Sequence, residues 1–159
     1  MPPMTHTLAP AETAVELALW RTFTRQALQA QRMGLLDQAF AGHIQALQIA
    51  RDMLEGPLLQ RSTDDCLAAA VCSHHNLADV HQRRGETWQA VQHVCWAHHW
   101  LLDLAGDSLQ PPAVRHATWR HLDVTRTELL LWLHELGPQP EIEAALAAPL
   151  PGSAASLLH

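Results

Sequence analysis

The stretch HNLADVHQRRGETWQAVQHVCWA, residues 75–97, decides the fold. Its apolar and small residues recur at the helical spacing of three or four positions, which places them on one face. Gly85 interrupts the pattern, and Ala90 and Ala97 follow it on a second helical segment. Because small side chains let two helices approach closely, the stretch predicts an antiparallel helical hairpin that turns at Gly85.

The spacing of this hairpin occurs a second time, earlier in the chain. Gly34, Ala39 and Ala46 repeat the glycine and alanine positions of residues 85–97 at an offset of 51 residues. A partial third copy follows around Trp119, where the aromatic residue, a leucine and an arginine keep the spacing of a first helix. The chain is therefore predicted to contain two hairpins of one kind and an incomplete third.

Glycine and proline divide the rest of the chain into further helical segments. Tyrosine is absent and phenylalanine occurs twice, so residues that favour strands are scarce. The pattern predicts an all-α bundle of five or six helices built from antiparallel hairpins. The helical domain is assigned to residues 11–148, between a disordered tail at 1–10 and a flexible tail at 149–159. The predicted helices span about residues 10–33, 36–54, 64–84, 86–104, 113–136 and 141–148.

Asn76, Leu77 and Ala78, followed by Gly85 and Ala90, resemble the core of a tetratricopeptide (TPR) repeat of the long-helix kind. The offset of 51 residues exceeds the standard unit of about 34 residues, so the helices and their connection are expected to be extended. The resemblance implies a TPR-like scaffold or adaptor without enzymatic activity. In such arrays the first helix of each hairpin lines a concave surface that holds a peptide or helix of a partner protein.

The lining residues that the resemblance implies lie on the first and third predicted helices. Their arginines make the surface locally positive, so the implied ligand is an acidic segment or a C-terminal carboxylate. The alternative is that these arginines form an ordinary solvated face. The fifth predicted helix adds Arg120, His121 and Val124. The implied partner-binding residues are Arg21, Thr24, Arg25, Leu28, Gln31, Arg32, Cys72, His75, Asn76, Asp79, Gln82 and Arg83.

The overall charge argues against nucleic acid as a partner. Lysine and arginine number 10 against 16 acidic residues, giving a formal net charge of -6, whereas nucleic-acid binders carry a basic surface. No signal peptide and no apolar run of about 18 residues is found, so the sequence predicts a cytoplasmic protein that is not associated with a membrane. Three cysteines, an odd number, are predicted to be free thiols.

The 12 histidines raise the alternative of a helical protein that binds copper or zinc. Cys95, His98 and His99 lie within one helical turn, a spacing that can reach a single metal ion. However, His98 and His99 are adjacent and point about 100 degrees apart, and no established zinc motif occurs. These three residues are only weak metal candidates, and the histidines are interpreted as polar surface or interface residues.

Trp96 and Trp100 stand one turn apart, away from the alanine face of the fourth predicted helix. A helix with apolar residues on two sides must bury both of them. One interpretation is that the two tryptophans pack against the fifth predicted helix. The other is that they form a self-association surface, which would make the protein a homodimer.

Cys72, His75 and Asp79 align on one face of the third predicted helix, in the order nucleophile, base and acid. A single straight helix supplies neither an oxyanion hole nor a glycine-rich turn to hold a substrate. The sequence therefore predicts no catalytic residue, no cofactor and no enzymatic activity.

Overall fold

The computed structural model describes residues 10–152, with side-chain surroundings from residue 15 onward, and in this part of the chain helices are joined by turns and short connections without any strand. The predicted all-α class is confirmed. The predicted tails fall largely on residues 1–9 and 153–159, which lie outside the described residues. The seven helices found within residues 10–152 are α1 Pro10–Arg32, α2 Leu36–Glu55, α3 Leu58–Arg61, α4 Thr63–Arg83, α5 Thr87–Gly106, α6 Pro112–Leu136 and α7 Pro140–Ala147.

Six of these helices match the predicted segments closely, and α3 is an addition. The sequence predicts a loop between α2 and α4, but a single helical turn follows Pro57 and buries Leu58 and Leu59 in the core. Four residues are too few to show a helical period. The connection therefore contributes apolar side chains to the core instead of running over the surface.

The two hairpin turns have the same backbone conformation. Gly34 and Gly85 both adopt a φ of 76°, in the left-handed region that favours glycine. In the first turn the Leu35 N–H donates to the Ala30 carbonyl at 2.9 Å, and in the second the Glu86 N–H donates to the His81 carbonyl at 2.8 Å. Both pairs span the glycine and close the end of the preceding helix.

Replacing Gly85 by alanine is expected to lower the free energy of unfolding by about 1–2 kcal/mol, because a Cβ is disfavoured in the left-handed conformation. Gly106→Ala is the matched control, since Gly106 has no positive φ and its added Cβ would meet Pro151 at an ordinary 3.6 Å. Urea denaturation of both variants measures the difference. Equal stabilities would show that the turn does not depend on this backbone conformation.

Helix α4 lies at the centre of the structure. It packs against α2 and α5, and also against α1 and α6, whereas α2 and α5 barely touch one another. Small residues make the close helix pairs possible, and Ala39, Ala46, Ala90 and Ala97 are completely buried. Two hollows result on either side of α4: a cleft towards α6, and a groove between α2 and α5.

Candidate functional site

The cleft between α4 and α6 is formed by one face of each helix. On both helices the lining residues recur at intervals of three and four, so they point in one direction. The cleft has a volume of about 360 Å³ and is lined by Asp79, Gln82 and Arg83 from α4 and by Glu128, Leu131, Trp132 and Glu135 from α6.

The wall formed by α6 combines a fixed aromatic ring with an exposed apolar side chain. Trp132 is buried, and its indole Nε1 donates a hydrogen bond of 3.0 Å to Oε1 of Glu128. This bond holds the Glu128 carboxylate beside the indole ring. Leu131 is about half exposed, so apolar surface lies beside the charged groups.

The charges of the cleft are predominantly negative. Three carboxylates line it with one guanidinium, and Nη1 of Arg83 also donates to the Gln31 carbonyl on α1 at 3.3 Å. Neighbouring side chains shield part of the Asp79 carboxylate from solvent, although the residue as a whole is exposed. That desolvation raises the pKa of Asp79, the charges of Glu128 and Glu135 raise it further, and Arg83 opposes them. A bound cation would relieve this repulsion.

Only part of the partner-binding surface implied by the resemblance lies in this cleft. Asp79, Gln82 and Arg83 do, whereas the α1 arginines Arg21, Arg25 and Arg32 are exposed without lining it. The half-buried members of the set are Leu28, Cys72, His75 and Asn76.

Thr24 and Gln31, which were expected to line the partner-binding surface, are buried. Their exposed fractions are 8% and 7%, and neither lines the cleft, so their contact with a partner stays a prediction. Gln31 contacts α2, where its Oε1 is 3.2 Å from Nε2 of His43. A polar residue was expected to face solvent, but this one satisfies a buried imidazole.

Glu128 and Glu135 were missed because the third copy of the repeat is incomplete. The sequence pointed instead to Arg120, His121 and Val124 on this helix. Arg120 and His121 hold Asp64 at the start of α4, at 2.8 and 3.0 Å. The sequence does contain a signal for this face of α6, because the four lining residues from Glu128 to Glu135 recur at helical spacing within two turns.

The geometry around Cys72 does not activate its thiol. Burial raises the pKa of Cys72, although Nδ2 of Asn76 donates a hydrogen bond to Sγ at 3.5 Å. Among the described residues, Nε2 of His75 is buried and has no hydrogen-bond partner. A raised pKa disfavours the thiolate that a nucleophilic mechanism requires.

Five of the histidines within residues 15–152 are buried, and for these five the interpretation as polar surface or interface residues is wrong. The Nδ1 atoms of His74 and His93 are 3.1 Å apart, and His81 stacks on His93 with ring centroids 5.3 Å apart. A hydrogen bond between two imidazoles requires that the accepting nitrogen carries no proton, so this pair cannot hold a charge on both rings. The buried histidines are His43, His74, His81, His93 and His98.

The weak metal candidates point in different directions. Cys95 is buried in the core formed with α6 and α7, and Nδ1 of His98 lies 2.8 Å from the Thr125 hydroxyl. His99 is exposed and faces the groove beside α2. Within residues 10–152 no group of three or more histidine, cysteine or acidic side chains is arranged to hold a metal ion.

Trp96 and Trp100 line the groove between α2 and α5, and not the contact of α5 with α6. They share the groove with Leu47, Arg51 and Leu54 of α2. Their predicted packing against α6 is therefore wrong, because these residues lie on the opposite side of α5. Self-association through the tryptophans stays a prediction.

A family model described as "Protein of unknown function (DUF2753)" matches residues 18–149. The match begins within α1 and ends just after α7, so it includes both the cleft and the groove. No curated protein matches the chain, and no solved structure does. None of the described helices combines the length and apolar character that crossing a membrane requires.

Proposed function

The chain belongs to the DUF2753 family, and we propose that it is a non-enzymatic protein-interaction module that holds a segment of a partner protein in the cleft between α4 and α6. The observation that carries the proposal is the lining of this cleft, in which Trp132 and Leu131 stand beside three carboxylates. This arrangement suits a TPR-like scaffold, where facing first helices receive a peptide or helix.

The chemistry of the cleft favours a segment that contains lysine or arginine. The aliphatic stem of such a side chain can pack on Leu131 and Trp132 while its charged end meets the carboxylates. A cation placed there would also offset the repulsion among Asp79, Glu128 and Glu135. The cleft volume of about 360 Å³ is sufficient for a few side chains of a bound segment.

This partner differs in charge from the acidic segment that the resemblance implied. The difference arises because Glu128 and Glu135 were not included in the predicted lining. Binding of an acidic segment by the exposed arginines of α1 stays a prediction. The following experiment distinguishes it from binding of a basic segment in the cleft.

Reversing the cleft charge with the double substitution Glu128→Lys and Glu135→Lys is expected to weaken binding of a basic peptide at least tenfold, or about 1.4 kcal/mol. The probe is a fluorescein-labelled peptide of alternating lysine and leucine, measured by fluorescence anisotropy at low salt, where charge attraction is least screened. A peptide of alternating glutamate and leucine serves as the opposite-charge probe.

The matched control is Glu141→Lys with Glu143→Lys on α7, which changes the net charge equally at exposed positions outside the cleft. Equal losses in both double variants would show that binding follows net charge alone and would contradict the proposed site. Binding of the acidic probe, abolished by Arg21→Glu with Arg25→Glu, would support the α1 surface instead.

A cytoplasmic location forms part of the proposal. Cys66, Cys72 and Cys95 are all free thiols, which is usual for proteins in a reducing compartment. Cys66 and Cys95 are buried, and burial raises the pKa of each thiol to about 11, so both are protected against oxidation.

A further inference from the structure

The groove between α2 and α5 is a second hollow, on the other side of α4. Its floor is formed by Ala70 and His74 of α4, and the small side chain at Ala70 deepens it. The groove has a volume of about 410 Å³. A neighbouring hollow of about 340 Å³ shares Arg51 and Trp100 with it and continues the groove along α5.

The walls of this groove carry opposite charges that are not paired with one another. Arg51 on α2 and Asp103 on α5 both line the groove. In the part of the chain that the structure describes, neither residue forms an ion pair. Burial, the neighbouring His93 and the charge of Arg51 together lower the pKa of His74, so the guanidinium lies near the floor of the groove.

Buried histidines pack behind the tryptophans that line the groove. His74 is more than nine-tenths buried, and its Nδ1 is engaged with His93, which leaves Nε2 as its second polar atom beside the groove. The His93 ring contacts Trp96 edge to face, with centroids 5.2 Å apart. Trp96 nevertheless remains half exposed, whereas Trp100 is partly buried against the core.

We propose that this groove binds a small aromatic zwitterion, such as an amino acid whose ring packs on Trp96 and Trp100. The ligand carboxylate pairs with Arg51, and its ammonium group pairs with Asp103. This site lies on the other side of α4 from the cleft and is independent of the proposed function.

Three properties of the groove select this class of ligand. Its volume lies within the range of about 300–1,000 Å³ typical of small-molecule sites. Indole rings provide flat apolar surface on which an aromatic ring can stack, a contact that adds to the effect of its burial. Arg51 and Asp103 are both exposed, so a ligand with a single charge could pair with only one of them, whereas a zwitterion can pair with both.

Titration calorimetry with L-phenylalanine, N-acetyl-L-phenylalanine and L-phenylalaninamide tests the proposal. L-Phenylalanine is expected to bind with a dissociation constant no weaker than about 10 mM, and each derivative, which lacks one charge, at least fivefold more weakly. The Arg51→Gln variant should bind L-phenylalanine and L-phenylalaninamide equally well. The Asp103→Asn variant should bind L-phenylalanine and N-acetyl-L-phenylalanine equally well.

Arg126→Gln and Asp123→Asn remove the same charges at exposed positions of α6 and should keep both preferences. Ala70→Leu, which fills the floor, should abolish binding, and the charge variants remain informative if this one does not fold. No binding of L-phenylalanine, or equal affinities for the three compounds, would overturn the proposal.

A second copy of the chain could occupy the groove in place of a small ligand. Sedimentation of the full chain at micromolar concentration distinguishes these two occupants. A monomer that binds L-phenylalanine supports the proposal. A dimer that dissociates in Trp96→Ala would mean that a second copy covers the groove, and it would overturn the proposal.

Discussion

Acidification from pH 7 to pH 4 is expected to unfold the protein, with a midpoint close to pH 5. Of the five histidines that are buried within residues 15–152, four have a strongly lowered pKa and are neutral at pH 7 in the folded state. Burial lowers the pKa of His74 to about 3, and it lowers the pKa of the other three to about 4. The four residues are His43, His74, His93 and His98.

The direction of this effect follows from where the protons bind. An unfolded chain takes up a proton at each of these histidines below pH 6.5, whereas the folded chain does not do so until about pH 4. Stability contributed by the neutral rings is therefore present above pH 6.5 and is lost as the pH falls. Each ring contributes about 1.4 kcal/mol per pH unit, so four rings approach the whole stability of a typical domain, about 5–15 kcal/mol, within two units.

Far-ultraviolet circular dichroism as a function of pH measures the transition. His98→Leu is expected to move the midpoint to lower pH, because one buried proton acceptor is gone and the Thr125 hydroxyl still donates to the Leu122 carbonyl at 3.1 Å. His116→Gln, at an exposed position, should leave the midpoint unchanged. A wild-type protein that stays helical at pH 4 would contradict the expectation.

Helix positions could be predicted from the sequence because local signals mark them. Gly34 and Gly85 end two helices with a conformation that other residues disfavour, and proline precedes or begins α6 and α7. The alanines of both hairpins recur at one offset, which predicted the close helix pairs. α3 was missed because a single turn has no period to detect.

The candidate site was less predictable because its residues meet only in the tertiary structure. Asp79 was assigned to a lining surface, but its acidic neighbours on α6 lie about 50 residues away in the chain. The charge of the cleft depends on which face α6 turns towards α4, and the incomplete third repeat does not encode that orientation. Likewise, the sequence does not distinguish a histidine that faces water from one that contacts another ring. The contact between His74 and His93 could therefore not be predicted from the residues around either of them.

Leu77→Ala is expected to lower the free energy of unfolding by about 3 kcal/mol, within the range of about 2–5 kcal/mol for leucine truncations in a core. Leu77 lies near the middle of α4, the helix against which α1, α2, α5 and α6 all pack, and its side chain is 0% exposed. Truncation would leave a cavity that fixed helices on several sides cannot easily close.

Leu109→Ala is the matched control, because it removes the same atoms from a side chain that is 92% exposed, in the connection between α5 and α6. Its effect should stay within about 0.5 kcal/mol. Thermal unfolding at pH 7 measures both variants, and the Leu77→Ala midpoint should fall by roughly 10 °C. Leu77 does not line the cleft, so the Leu77→Ala variant should still bind the peptide at temperatures below its unfolding midpoint. If its free energy of unfolding fell by less than about 1 kcal/mol, α4 would not be the centre of the core.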